Sequence, residues 1–184
     1  VFLDANECAF EPFVGANGLS RYPAQQPAQL VDAFCRWLDV QSRNLTITRG
    51  ADEAIDCLMR AFCVPAVDNV VICPPTFAMY AQSAMLQGVA VRSAMLDNSF
   101  GLDLAAIEKA VDTNTKMIFV CSPNNPTANI MDAGAIQKLC EIYADTALIV
   151  VDETYIEFSD QPSLIAKLDQ FANLVVLRTL SKSH

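Results

Sequence analysis

Apolar residues along this chain fall into two rhythms, helical stripes and short unbroken runs, and the two take turns. Leu30, Val31, Phe34, Cys35 and Leu38 recur at helical spacing over 28–38, and Ile55, Leu58, Met59 and Phe62 make one face of a second helix over 52–63. Ahead of that second helix the pattern predicts a short strand over 45–48 and a turn at Gly50. The β-branched run 70–73 stops at Pro74-Pro75, and a helical stripe over 77–87 ends at Gly88, a suitable C′ glycine. Residues 89–95 read as a strand, a turn passes through Asn98 and Gly101, and 104–111 reads as a helix. Met117 to Cys121 is the next strand, after which Asp132 is placed to cap a helix carrying Ile136, Leu139, Cys140 and Tyr143 on one side. Two more strands, 147–151 and 174–177, flank a helix near 163–171. Short strands without polar alternation, each followed by a helix, belong to a mostly parallel sheet covered on both faces. The predicted fold class is α/β, three layers in the order α/β/α.

Composition narrows the functions open to such a fold. The chain has 184 residues, enough for one well-buried domain but not for two full lobes, and its 53% hydrophobic against 18% charged content excludes disorder. Twelve basic against 21 acidic residues give a net charge of -9, which disfavours nucleic acid and anionic membranes as partners and makes any phosphate site a local one. Seven cysteines form no CxxC pair, and Cys73 and Cys121 lie in apolar runs, as in a protein of a reducing compartment. The one histidine, His184, leaves no basis for a His triad or a multi-His metal site. No signal-peptide pattern occurs and no apolar run approaches the roughly 18 residues of a membrane span, so the expectation is a soluble, cytoplasmic protein. The chain starts at Val1 without methionine and stops at His184 without a capping residue, and is expected to be a piece of a longer protein. The polar stretch 15–29, with Pro23 and Pro27, reads as an irregular arm, giving an arm over 1–29 and a large domain over 30–184 that is incomplete at its C-terminal end.

In an open parallel sheet, ligands bind beyond the carboxyl ends of the strands. The segments there are Gly50-Ala51-Asp52-Glu53, Pro74-Pro75-Thr76-Phe77, Ser122-Pro123-Asn124-Asn125-Pro126-Thr127, Asp152-Glu153-Thr154-Tyr155 and Arg178-Thr179-Leu180-Ser181-Lys182. A carboxylate, a lysine, a phenol, an amide and an aromatic ring on adjacent strand ends form the set needed to hold and use an aromatic aldehyde cofactor. Taken singly, each has an ordinary reading. Lys182 is a solvated lysine, Asp152 a turn aspartate, Asn125 an Asx turn before Pro126, Tyr155 and Phe77 packed aromatics, and Gly50 a tight turn. Neither GxGxxG nor GxxxxGK occurs, which disfavours a nucleotide-binding domain.

The segments SPNNPT, VVDETYIEF and LRTLSK resemble those of the fold-type I, pyridoxal-phosphate-dependent aminotransferases of class I/II. With RYPAQQP, TRGADEAI and CPPTFAMY added, the similarity is closest to the histidinol-phosphate aminotransferase family, collinear from about Leu3 to Lys182. The resemblance implies pyridoxal 5'-phosphate as cofactor. Lys182 resembles the lysine that binds it as an internal aldimine, a role that calls for a partly desolvated amine. Asp152 resembles the carboxylate that keeps the pyridine nitrogen protonated, while Glu153 is read as structural. Asn125 and Tyr155 resemble the pair that hydrogen-bonds the ring 3-oxygen, and Phe77 stands where the family often stacks a tyrosine on the ring. Gly50, Ala51 and Asp52 open a helix suited to the cofactor phosphate, with Thr179 and Ser181 as hydroxyl donors. Tyr22 resembles a residue that reaches the phosphate of a neighbouring subunit, which implies a homodimer with composite sites. The resemblance also implies a cis Asn125-Pro126 bond, and Ala128 departs from the glycine usual after Asn-Pro-Thr. By residue type Arg178 is a candidate phosphate or carboxylate clamp, but alternation along the strand end turns it away from the pocket.

The implied reaction is ping-pong transamination, with Lys182 as nucleophile and then as general acid/base, in histidine biosynthesis. L-Histidinol phosphate would be the amine and 2-oxoglutarate, giving glutamate, the acceptor. The arginines that read the substrate phosphate, and a small C-terminal domain, are expected after His184. The alternatives are another class I/II enzyme, an aromatic-amino-acid aminotransferase or a threonine-phosphate decarboxylase, or a non-catalytic cofactor-binding domain. The TLSK and RYP segments favour the first reading, and the presence of Lys182 and Asp152 disfavours the last.

Overall fold

The computed structural model describes residues 6–11, 13–15 and 20–183; the expectations placed on Leu3, on residues 16–19 of the arm and on His184 lie outside them. The chain divides between Ile47 and Thr48 into two units, where composition predicts a boundary after residue 29.

In the first unit the stripe at 28–38 forms helix α1 (Ala28–Leu38), closed by Asp39 in the left-handed region at φ 53°. None of its residues is buried, and Phe34 and Trp37 meet edge to face at 5.6 Å. The strand predicted over 45–48 is absent. A 3-10 turn, Ser42–Asn44, leads into extended chain, and the Gln26 side chain takes the place of a neighbouring strand. Its Oε1 accepts from the Ile47 N–H at 2.7 Å and its Nε2 donates to the Ile47 carbonyl at 3.2 Å, so the backbone groups that would have joined a ladder are satisfied locally.

The second unit opens with α2 (Ala51–Phe62) and continues as β1 (Asn69–Ile72), α3 (Met79–Leu86), β2 (Ala90–Ser93), α4 (Leu104–Ala110), β3 (Thr115–Cys121), α5 (Ala133–Ile142), β4 (Leu148–Asp152) and β5 (Leu174–Leu177). The five strands form one parallel sheet in the order β2-β1-β3-β4-β5. The helix predicted near 163–171 shrinks to a 3-10 turn, Leu164–Lys167, because both ends of the segment are tied down. Ser163 bonds the buried Glu153, and Asn173 donates to the Cys140 and Ala147 carbonyls at 3.1 Å each. Helix α3 starts two residues later than its stripe suggests, which leaves Phe77 in the preceding loop.

Strand residues alternate between two cores, one on each face. Val71, Ile118, Val120, Ile149 and Val151 pack with Ile107 of α4 and Ile136, Leu139 and Cys140 of α5. Val70, Ile72, Met117, Phe119, Cys121 and Val150 pack with Ile55 and Met59 of α2 and Tyr80 and Ala84 of α3. This is the expected three-layer architecture. The chain leaves β1 toward β2 on one side and returns to β3 on the other, so the strand order reverses between β1 and β3. At such a switch point the loops after neighbouring strands part and leave a crevice.

Candidate active site

A cleft opens at the carboxyl ends of β1, β3, β4 and β5, all within the second unit. Gly50, Ala51, Asp52, Phe77, Asn125, Asp152, Tyr155, Thr179, Ser181 and Lys182 all line it. Ten of the eleven residues singled out from the sequence therefore meet in one place. The eleventh, Tyr22, belongs to the first unit, where its side chain is exposed and its backbone N–H donates to Glu7 Oε1 at 2.8 Å.

Parallel register explains the floor of the cleft. Cys121, Asp152 and Leu177 sit side by side at the strand ends, and alternation turns all three toward the face covered by α2 and α3. Asp152 is only 2% exposed. Its Oδ1 accepts from the Thr154 N–H at 3.0 Å and the Thr154 hydroxyl at 2.6 Å, and its Oδ2 accepts from the Tyr80 hydroxyl at 2.7 Å. Every one of these donors is neutral. Among the described residues no basic side chain forms an ion pair with this carboxylate. A buried carboxylate bonded only to neutral donors can accept a cationic group from the cleft, and none of the described residues supplies one.

The next residue has the opposite fate. Glu153, also 2% exposed, turns to the other face, accepts from the Leu164 N–H at 2.7 Å and the Ser163 hydroxyl, and lies 3.7 Å from the Arg178 guanidinium. Burial pushes its carboxyl above the ordinary range, against the pull of those donors and of Arg178. Arg178 also pairs with Glu157, so it turns away from the cleft as alternation predicts.

The cleft's wall at α2 suits an anion. Gly50 holds φ 101° and ψ 175°, a region open essentially to glycine alone, and no side chain caps the helix behind it. The first N–H groups of α2 and the helix dipole thus face the cleft. The loop after β3 is held from below by Asn124, 3% exposed, which the sequence reading passes over. Its Nδ2 donates to the Pro75 carbonyl at 2.9 Å and the Thr127 hydroxyl at 2.6 Å, and its Oδ1 accepts from Thr76 at 3.1 Å. The loops that carry Phe77 and Asn125 are thereby pinned to each other. The Asn125-Pro126 bond is cis, and so are Pro74-Pro75 and Ser122-Pro123. Ala128 takes φ 62°, the left-handed conformation that glycine adopts more easily.

Lys182 borders the cleft and is exposed, because no described element covers the 179–183 turn; the partial desolvation asked of it is not provided by these residues. Besides Asn124, four lining or supporting residues escape the sequence reading: Arg49 and Thr154 on the wall, Cys121 in the floor, and Tyr80 behind it. Burial, and then the Asp152 charge, raise the Cys121 thiol to about 11, so it stays protonated and inert. Tyr80 has one readable signal, its place one helical turn after Phe77, but a tyrosine in an apolar helix ordinarily reads as core.

Known proteins resemble this chain in sequence and fold. Over 185 aligned residues the chain is 43% identical to the histidinol-phosphate aminotransferase of Pseudoalteromonas atlantica and 44% identical to that of Pectobacterium carotovorum subsp. carotovorum; both alignments take in 100% of this chain and 50% and 52% of the relative. The chain thus spans about half the length of the curated relatives it matches. The crystal structure of aspartate aminotransferase from Thermotoga maritima superposes with a TM-score of 0.80 at 23% identity, over 89% of this chain and 47% of that one, a likeness of fold. The model of the family "Aminotransferase class I and II" matches residues 7–184, which take in the whole cleft and its floor. The chain belongs to the class I and II aminotransferase family.

Proposed function

We propose that the intact protein carrying this chain is a pyridoxal 5'-phosphate-dependent aminotransferase that uses L-histidinol phosphate as amine and 2-oxoglutarate as acceptor, in histidine biosynthesis. The observation that carries the reading is the buried Asp152, bonded only to neutral donors, at the floor of a cleft that has Lys182 at its rim and an uncapped glycine-led helix start in its wall. That donor set fits the group: an acceptor for a cationic ring nitrogen, an amine for an aldehyde, and N–H groups for a phosphate. The choice of amine rests on the histidinol-phosphate aminotransferases at 41–44% identity.

When bound, the cofactor supplies an aldehyde that captures amines and a pyridinium ring that takes up electron density from a substrate α-carbon. Asp152 accepts the ring N–H and holds that nitrogen protonated. Asn125 and Tyr155 offer hydrogen bonds to the ring 3-oxygen, and Phe77 offers an aromatic surface for stacking. The N–H groups behind Gly50, at Ala51 and Asp52, bind the phosphate, together with the hydroxyls of Thr179 and Ser181. Lys182 would hold the cofactor aldehyde through its amine and would serve as the general acid/base that carries the proton from the substrate α-carbon to the cofactor's aldehyde carbon. Tyr22 reaches the phosphate of a second subunit, so the working form is a homodimer. Seven free cysteines fit a cytoplasmic location, and no helix among the described residues is long and apolar enough to cross a membrane.

Steady-state rates of the intact protein with histidinol phosphate, phenylalanine and threonine phosphate test the assignment. Histidinol phosphate should give a kcat/KM at least about tenfold above the others, a difference of about 1.4 kcal/mol in transition-state binding. A preference for phenylalanine, or release of carbon dioxide from threonine phosphate, would replace it with the corresponding relative.

A further inference from the structure

The least expected polar contact in the second unit joins two elements 72 residues apart. Tyr80, on α3, has no exposed surface, and its hydroxyl donates to Asp152 Oδ2 at 2.7 Å. Its ring stacks on Phe119 with centroids 4.8 Å apart and meets Phe77 edge to face at 5.6 Å. The side chain is therefore fixed by packing on two sides and by one hydrogen bond at its tip. Burial, followed by the Asp152 charge, holds the phenol protonated far above its ordinary range, so it acts only as a donor.

An ionised carboxylate offers about four acceptor sites. Thr154 fills two on Oδ1 and Tyr80 one on Oδ2, which leaves a single site on Oδ2. We propose that Tyr80 is a positioning residue: its hydroxyl holds the Asp152 side chain in place and directs the last acceptor site on Oδ2 at the ring nitrogen of the bound cofactor. The inference rests on the cofactor reading above and adds a residue to it. A proton shared between a carboxylate and a ring nitrogen stays on nitrogen only while the carboxylate is stabilised as the anion, and three donors directed at the anion do that. Without the Tyr80 hydroxyl the balance moves toward a neutral acid beside a neutral ring.

The test uses the intact protein loaded with pyridoxal 5'-phosphate labelled with nitrogen-15 in the ring, read by NMR at neutral pH. Tyr80→Phe keeps both ring contacts and removes only the hydroxyl; Tyr80→Met, which fills the space without an O–H, serves if the first variant does not fold. The wild-type signal should lie at the pyridinium position, and the variant signal should move toward that of neutral pyridine. Cofactor affinity should weaken by roughly tenfold, the usual range for a lost hydrogen bond to a charge, and kcat should fall while KM for the amine stays nearly constant. A folded variant whose ring-nitrogen signal coincides with wild type overturns the role given to Tyr80 and leaves the cofactor reading intact. A wild-type protein that takes up no pyridoxal 5'-phosphate overturns the cofactor reading itself, and this inference with it.

Discussion

Asp152 and Glu153 are neighbours in sequence with equal burial, yet strand alternation sends one to the cleft and the other to a structural ion pair. Their variants should separate accordingly. Asp152→Asn in the intact protein is expected to cost roughly a hundredfold or more in kcat, as for other charge-stabilising groups, with little change in thermal midpoint. Glu153→Ala should lower stability by about 2–3 kcal/mol, because it leaves the buried Leu164 N–H without its acceptor and takes one of two carboxylates from Arg178, which keeps Glu157, and should leave a folded protein with near-normal chemistry. Equal effects on turnover would refute the division. Ala128 offers a second residue-scale check. An L-residue in the left-handed region costs about 1 kcal/mol or more, so Ala128→Gly should raise the thermal midpoint; a lower midpoint would mean the strain is relieved elsewhere. Legibility differed sharply among these residues. Asp152 and Lys182 stand in segments whose neighbours announce them, whereas Tyr80 and Asn124 act through a hydroxyl and an amide whose partners lie 72 and 49 residues away, a proximity only the fold creates.

At the scale of elements, the start of α2 is the most constrained piece. A Cβ on Gly50 would meet nothing within 4 Å, so the demand for glycine comes from its φ of 101° and not from crowding. Gly50→Ala should therefore destabilise by about 1–3 kcal/mol through backbone strain alone, and should weaken cofactor phosphate binding as the first turn shifts. Equilibrium dialysis against pyridoxal 5'-phosphate measures the second effect; unchanged affinity would remove the helix start from the phosphate site. The strands of the sheet were readable from their unbroken apolar runs because both faces are covered. The two elements misread, at 45–48 and 163–171, were both decided by side chains reaching across from elsewhere, Gln26 in one case and Glu153 and Asn173 in the other. Propensity carries no information about such partners.

For the whole molecule, the thiols report how well the second unit is sealed. Burial raises Cys63, Cys121 and Cys140 to about 11 and Cys73 to about 12, with nearby carboxylates adding to it for Cys63, Cys121 and Cys140. In the unfolded chain a thiol ionises near about 8.5. The folded form thus binds more protons between these values, and its stability is complete below that pH and declines as pH rises toward 11–12. The thermal midpoint should fall over that alkaline window, and mutation of the four buried cysteines to alanine or valine should flatten the decline. In the native protein at pH 8, iodoacetamide should modify the exposed Cys8 and Cys57 and spare the four buried thiols. The three-layer architecture and the place of the cleft follow from the alternation of strands and helices. The exposure of Lys182 did not, since what covers a strand-end turn is set by contacts outside the turn itself.

The central claim is that Lys182 and Asp152 serve one bound ring, and it is tested most directly by covalent capture. The intact protein is incubated with pyridoxal 5'-phosphate, reduced with borohydride and mapped by peptide mass spectrometry. The account predicts the pyridoxyl mass on Lys182, its disappearance in Lys182→Ala, and weaker labelling in Asp152→Ala. Label on Lys109, Lys116, Lys138 or Lys167 instead, or none on any lysine, would contradict it.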